Sequence, residues 1–167
     1  MACAPRSSVG PLAAFVVAAV FVGAGCDGEG GHADAGPPAD FPADYATTYT
    51  QVRECRLSIE HDQKNVRVMA SPDAVTPYLD RLAPFPAGSV VVKEEYAEGD
   101  DRCTGSIVNF TVMIRLTEGS DPASLDWKWQ AADSLRQVRN VDLMKCTRCH
   151  AMCPDQGVGY MGTCEEP

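Results

Sequence analysis

The run Cys146-Thr-Arg-Cys149-His150, close to the C-terminal end of the sequence, limits what this chain can be more than any other feature. Two thiols three positions apart on a helical turn can both reach the vinyl groups of a haem, and the histidine that follows then faces the iron. Tether and axial ligand come as one unit. The composition gives roughly 0.007 chance occurrences of that spacing in a chain of this length, so coincidence is a poor account. Two other uses of the same residues compete: a zinc site built from Cys146, Cys149, Cys153 and His150, and a purely structural disulfide cluster. Exported chains seldom keep reduced cysteine clusters, and the spacing suits haem better than zinc.

The start of the chain points to export. Arg6 precedes an apolar run from Pro11 to Val22, and small residues 23 to 25 lead into Cys26; this is the layout of a signal peptide over 1–25. The run falls short of the roughly 20 apolar residues that span a bilayer. Cys26 after small residues resembles a bacterial lipoprotein cleavage site, although Gly23 stands where a branched aliphatic residue is usual. Residues 26–40, rich in Gly, Ala, Pro and Asp, read as a flexible tether, leaving 41–167 as one domain. The expected location is the periplasm of a bacterium, with or without a lipid anchor in the membrane.

Eight cysteines divide accordingly. Cys3 leaves with the signal peptide, Cys26 is the candidate anchor, and Cys146 and Cys149 belong to the motif. Cys55, Cys103, Cys153 and Cys164 remain, an even set that suggests two disulfides in an oxidising compartment, with three connectivities open. The preferred pairing is Cys55–Cys103 with Cys153–Cys164, the second closing a short C-terminal loop. A formal net charge of -9, with no run of basic residues, excludes a nucleic-acid partner.

Four segments rich in β-branched and aromatic residues read as strands: Val66-Arg-Val-Met69, Ser89 to Tyr96, Ile107 to Leu116 and Asp126 to Gln130. Trp127 and Trp129 share one face by alternation and read as core. Two helices are expected before the motif. Tyr45, Tyr49 and Val52 recur at helical spacing; Ser71 as N-cap, Pro72 and Asp73 open a second, with Val75, Tyr78, Leu79 and Leu82 on one face and Pro84 and Pro86 as its stop. The fold class is α+β, mainly antiparallel sheet with a few flanking helices, the motif forming a C-terminal helical turn. Helical cytochromes usually carry the motif near the N-terminus, so the architecture here differs.

His32 and His61 lie in polar stretches and read as solvated histidines rather than second iron ligands. Of Met69, Met113, Met144, Met152 and Met161, available as a sixth ligand, Met69 and Met113 fall in strand runs and read as core, and Met144 and Met152 are too near His150 to reach the opposite face. An open distal site is therefore expected.

The ordered series of Val66-Arg-Val-Met69, the helix with Tyr78, the segment Phe85-Pro-Ala-Gly-Ser-Val-Val-Val-Lys93, Asp126-Trp-Lys-Trp129 and the terminal Cys-x-x-Cys-His resembles the cytochrome P-460 family over most of 45–160. That resemblance implies a sheet-rich protein, often a homodimer, with one covalent haem c. It also implies oxidation of hydroxylamine or nitric oxide, with electrons passed to a redox partner protein. It further implies a covalent bond between Lys93 and the haem ring; read alone, Lys93 would be a solvent-facing strand lysine. Glu60, Glu94 and Glu95 are candidate proton acceptors, and alternation puts Glu95, not Glu94, on the side of Lys93. The cysteines at 55, 103, 153 and 164 and the candidate anchor depart from the family pattern. A structural relative, cytochrome c-prime-beta, resembles a nitric-oxide-binding protein with an apolar distal pocket and no lysine bond, and an electron carrier with a methionine sixth ligand is the third alternative.

Overall fold

A computed structural model describes residues 36–153 and 161–164, all within a compact unit that spans Ala33–Pro167. The signal segment, Cys26 and His32 lie outside the described residues. Among the described residues no helix is long and apolar enough to cross a membrane.

The protein is α+β and mainly sheet. Five antiparallel strands run in sequence order, β1 (Thr50–Ser58), β2 (Lys64–Ala70), β3 (Val90–Tyr96), β4 (Ile107–Arg115) and β5 (Trp127–Asp133). Three short helices flank them, α1 (Tyr45–Thr48) before the sheet, α2 (Pro72–Asp80) between β2 and β3, and α3 (Met144–His150) after it. Each strand pairs with its neighbour in sequence, as a meander does. The four strands read from composition are all present. The first, β1, was hidden: Val52 sits in it rather than in a helix, and α1 closes after a single turn. Two bulges in β1 break its alternation and bury both Val52 and Arg53, which is why the run imitates helical spacing.

The ladder register sorts side chains onto two faces. One face carries the rows Ala70, Val91, Met113, Trp129; Val68, Lys93, Thr111, Ala131; and Val66, Glu95, Asn109, Asp133. The other carries Met69, Val92, Val112, Gln130 and Arg67, Glu94, Phe110, Ala132. The second face is closed by the N-terminal segment, where Ala39, Phe41 and Tyr45 pack on Val92, Phe110 and Val112. Phe41 meets Tyr45 edge-on at 4.9 Å. Residues 36–40, part of the stretch read as tether, are docked here: Pro38 bridges Gln137 and the Ala39 amide donates to the Arg136 carbonyl at 2.8 Å.

The first face is covered by α2, through Ala74 and Tyr78, and by the start of α3, through Leu143 and Cys146. Trp127, fully buried, anchors this core against Phe85 at 5.2 Å. An aromatic side chain so placed contributes about 3–5 kcal/mol relative to alanine. Ser71 precedes α2 as expected, but its hydroxyl accepts the Val90 amide at 2.9 Å, tying the helix to β3 rather than capping it. The buried side of α2 is Ala74, Pro77 and Tyr78, whereas Leu79 and Leu82 are exposed, and Arg81 in the left-handed region ends the helix before Pro84. Both expected disulfides are present, Cys55–Cys103 and Cys153–Cys164.

Candidate functional site

Between α3 and the first face of the sheet lies a cavity of about 400 Å³, within the range of cofactor sites. Cys146, Cys149 and His150 form part of its wall, and Lys93, Glu95, His61, Met113 and Trp129 form another part. Lys93 on β3 and Cys146 on α3, 53 positions apart in sequence, are thus brought to one chamber.

The His150 ring is fixed in one orientation and one tautomer. Its Nδ1–H donates to the Gly162 carbonyl, which leaves Nε2 as the ring's lone-pair nitrogen. Trp129 packs against the ring at 4.7 Å between centroids. Burial pushes the His150 pKa down to about 4 against the pull of the Gly162 carbonyl, with help from the Lys93 charge, so the ring is neutral at physiological pH. Among the described residues Cys146 and Cys149 are the two cysteines outside disulfides. Burial pushes the Cys146 thiol up, the reverse of the lowered thiol pKa of a redox-active Cys-x-x-Cys pair.

The zinc alternative loses one of its four ligands. Cys153 and Cys164 come within 4.8 Å of the His150 ring nitrogen, but their sulfurs are joined to each other and offer no thiolate. Cys146, Cys149 and His150 remain, without Cys153.

Opposite the motif is a polar cluster that sequence reading only half found. His61, expected to be solvated, is instead in the wall, its side chain 20% exposed. Its Nε2 meets Lys93 Nζ at 2.7 Å and its Nδ1 lies 3.5 Å from Glu95 Oε1. Glu95 also accepts from Lys64 Nζ at 3.1 Å and from Asn109 Nδ2 at 3.3 Å. Burial would raise the Glu95 carboxyl, yet the His61 and Lys64 contacts prevail and hold it down to about 2. Burial lowers Lys93 to about 8 and also lowers His61. The turn that carries His61 has Asp62 and Gln63 both in the left-handed region, at φ 55 and 57. A backbone costly for two non-glycine residues is kept where it presents a wall residue.

Strand alternation separates the glutamates as expected. Glu95 faces the cavity with Lys93, and Glu60 is in the wall. Glu94 is buried on the opposite face, accepting from Tyr45 at 2.7 Å, Tyr96 at 2.8 Å and Arg67 Nε at 2.6 Å, and takes no part in the cavity. The methionines separate as well: Met69 belongs to the opposite core, while Met113, read as core, is both buried and part of the cavity wall. Exposed Arg139 and Lys145 stand at the cavity's solvent side, and Lys145 reaches Asp62 at 3.9 Å from α3 to the β1–β2 turn.

The arrangement can hold a flat, largely apolar group by two thiols and an imidazole, and can move a proton along Lys93, His61 and Glu95. The signals for His61 and Gly162 were weak in sequence: one needs the β1–β2 hairpin, the other a segment folded back on the motif. Comparison with protein-family models finds no match, and comparison with curated proteins finds none either.

Proposed function

We propose that this chain holds one haem c, bonded through Cys146 and Cys149 and ligated by His150 Nε2, and oxidises hydroxylamine or nitric oxide, passing electrons to a redox partner protein. The observation that carries the reading is the convergence on one cavity of two unpaired thiols, a neutral imidazole with its Nδ1 already committed, and a lysine amine. The residues fit the group. The wall between them is lined by Val91, Met113, Trp129 and Ala131, an apolar surface suited to a porphyrin, and the exposed Arg139 and Lys145 in the same wall are cations that would pair with its carboxylates.

Haem, when bound, supplies one-electron redox chemistry and a place for a small nitrogenous ligand. The chain's own residues do the rest. The Gly162 carbonyl holds the proton on His150 Nδ1, so that Nε2 stays a donor of electron density. Oxidation of hydroxylamine releases protons, and neutral His61 is the base placed to take one. Glu95, ionised and too weak a base to compete, orients the His61 ring and stabilises it when charged, the part a carboxylate plays in a hydrolase triad. Lys93, beside His61, is the residue for the ring bond.

The polar Lys93–His61–Glu95 wall favours this reading over a nitric oxide binder with an apolar pocket. Met113 supports a second reading, an electron carrier with methionine as sixth ligand. Optical spectra of the purified exported protein test both. A broad, strongly red-shifted reduced Soret band with hydroxylamine turnover supports the proposal. An ordinary c-type spectrum with a methionine-to-iron band and no carbon monoxide binding supports the second reading.

A further inference from the structure

Residues 161–164 have no helix or strand of their own, yet three separate elements hold them. The Met161 carbonyl accepts the Trp127 indole N–H of β5 at 2.7 Å. The Thr163 hydroxyl accepts from Arg81 Nη1, at the end of α2, at 2.6 Å in buried surroundings. Cys164 is bonded to Cys153, three residues beyond His150. Between these anchors the Gly162 carbonyl receives the His150 Nδ1–H.

The anchors are themselves fixed. Trp127 is fully buried, and the Arg81 guanidinium lies over the Tyr78 ring at 4.8 Å. Gly162 adopts φ +86, and a Cβ there would meet Leu125 Cδ1 at 3.2 Å, so the backbone turns at a point where only glycine is at ease. One anchor would keep a chain end in place. Three anchors surrounding one carbonyl fix its direction, and that direction decides which nitrogen of the ring carries the proton.

We infer that residues 161–164 form a positioning strap for His150, in which Arg81, Thr163, Trp127 and the Cys153–Cys164 disulfide aim the Gly162 carbonyl and so hold the imidazole with Nδ1 protonated and Nε2 open to the cavity. Its consequence for iron rests on the haem reading above; its consequence for the ring does not. Arg81, Thr163 and the two cysteines act here as positioning residues, through the carbonyl they aim, and Thr163 also stands in the cavity wall. Loosening the strap weakens the hydrogen bond to Nδ1, makes Nε2 a poorer donor, and favours the reduced over the oxidised state of a ligated iron.

The test uses the full chain in four forms: wild type, Thr163→Val, Thr163→Ser and the double variant Cys153→Ser/Cys164→Ser. In the haem-free chain, ring ¹⁵N shifts of His150 report the tautomer. In the loaded chain, the ferrous iron–histidine stretch and the midpoint potential report the ligand. The strap predicts about a tenfold fall in the Nδ1–H to Nε2–H ratio for Thr163→Val and for the double variant. It also predicts a lower stretching frequency and a higher potential in both, with Thr163→Ser like wild type. Folded variants with wild-type tautomer, stretch and potential would overturn it. If the double variant does not fold, the valine and serine pair decides, since valine removes the hydroxyl, and with it the bond from Arg81, at nearly equal shape, and serine keeps the hydroxyl. If the wild type carries no haem, the proposed function fails while the tautomer ratio still decides the strap.

Discussion

Replacing Lys93 by methionine should stabilise the haem-free chain at neutral pH. Burial brings the Lys93 pKa from 10.5 down to about 8, a difference worth roughly 3 kcal/mol against the charged amine in the folded state. Water in the cavity and the lost contact with His61 reduce the net gain to about 2 kcal/mol. The sign follows from proton binding: the unfolded chain holds this proton more tightly. The cost is therefore complete below pH 8, fades between 8 and 10.5, and is absent above. Urea unfolding at intervals from pH 7 to pH 10.5 reads it directly. Wild type should gain stability with pH across that window, and Lys93→Met should start higher and not gain. A variant less stable than wild type at pH 7, with a gap that does not change with pH, would refute the claim that the site holds a lysine at a cost. In the haem-loaded protein the pH-dependent gap should vanish, because an amine bonded to the ring no longer titrates there.

His61→Gln should leave haem content unchanged and slow hydroxylamine turnover by about 10²-fold to 10³-fold, as expected for loss of a general base; steady-state kinetics with a chemical electron acceptor measures it. Glu95→Gln should flatten the acid side of the stability curve. Against burial, the His61 and Lys64 contacts lower the Glu95 pKa from 4.5 to about 2, so its contribution is present above pH 4.5 and lost as pH falls through 2. Its size is roughly 2–3 kcal/mol, and melting temperature from pH 6 to pH 2 checks it. Cys55→Ala/Cys103→Ala opens a loop of sequence separation 48, and should cost about 4 kcal/mol by chain entropy, read from the urea midpoint.

Much of this molecule could be read from its residues, and the failures have physical causes. Strands β2 to β5 announced themselves because both sheet faces are covered, so their apolar content is high. Strand β1 did not, because its bulges bury neighbouring residues and mimic a helical repeat. Alternation alone put Glu95 beside Lys93 and turned Glu94 away. His61 was beyond such reasoning. It reaches Lys93 only after β1 and β2 pair and the strained turn at Asp62 and Gln63 folds it over β3. Local spacing marked Cys146, Cys149 and His150, but Gly162 becomes the ring's partner only through the disulfide and the contacts with Trp127 and Arg81. Leu79 and Leu82 were misplaced because Pro77 and the turn at Arg81 reset which side of α2 is buried.

Cys146, Cys149, His150 and Lys93 share one cavity, and the proposed reason is to hold one haem. Proteolysis of the purified exported protein followed by mass spectrometry tests it most directly. A single haem is expected, joined at once to the peptide containing Cys146 and Cys149 and to the peptide containing Lys93. Haem on the cysteine peptide alone contradicts the lysine bond, and haem-free peptides with both thiols open to alkylation contradict the haem itself.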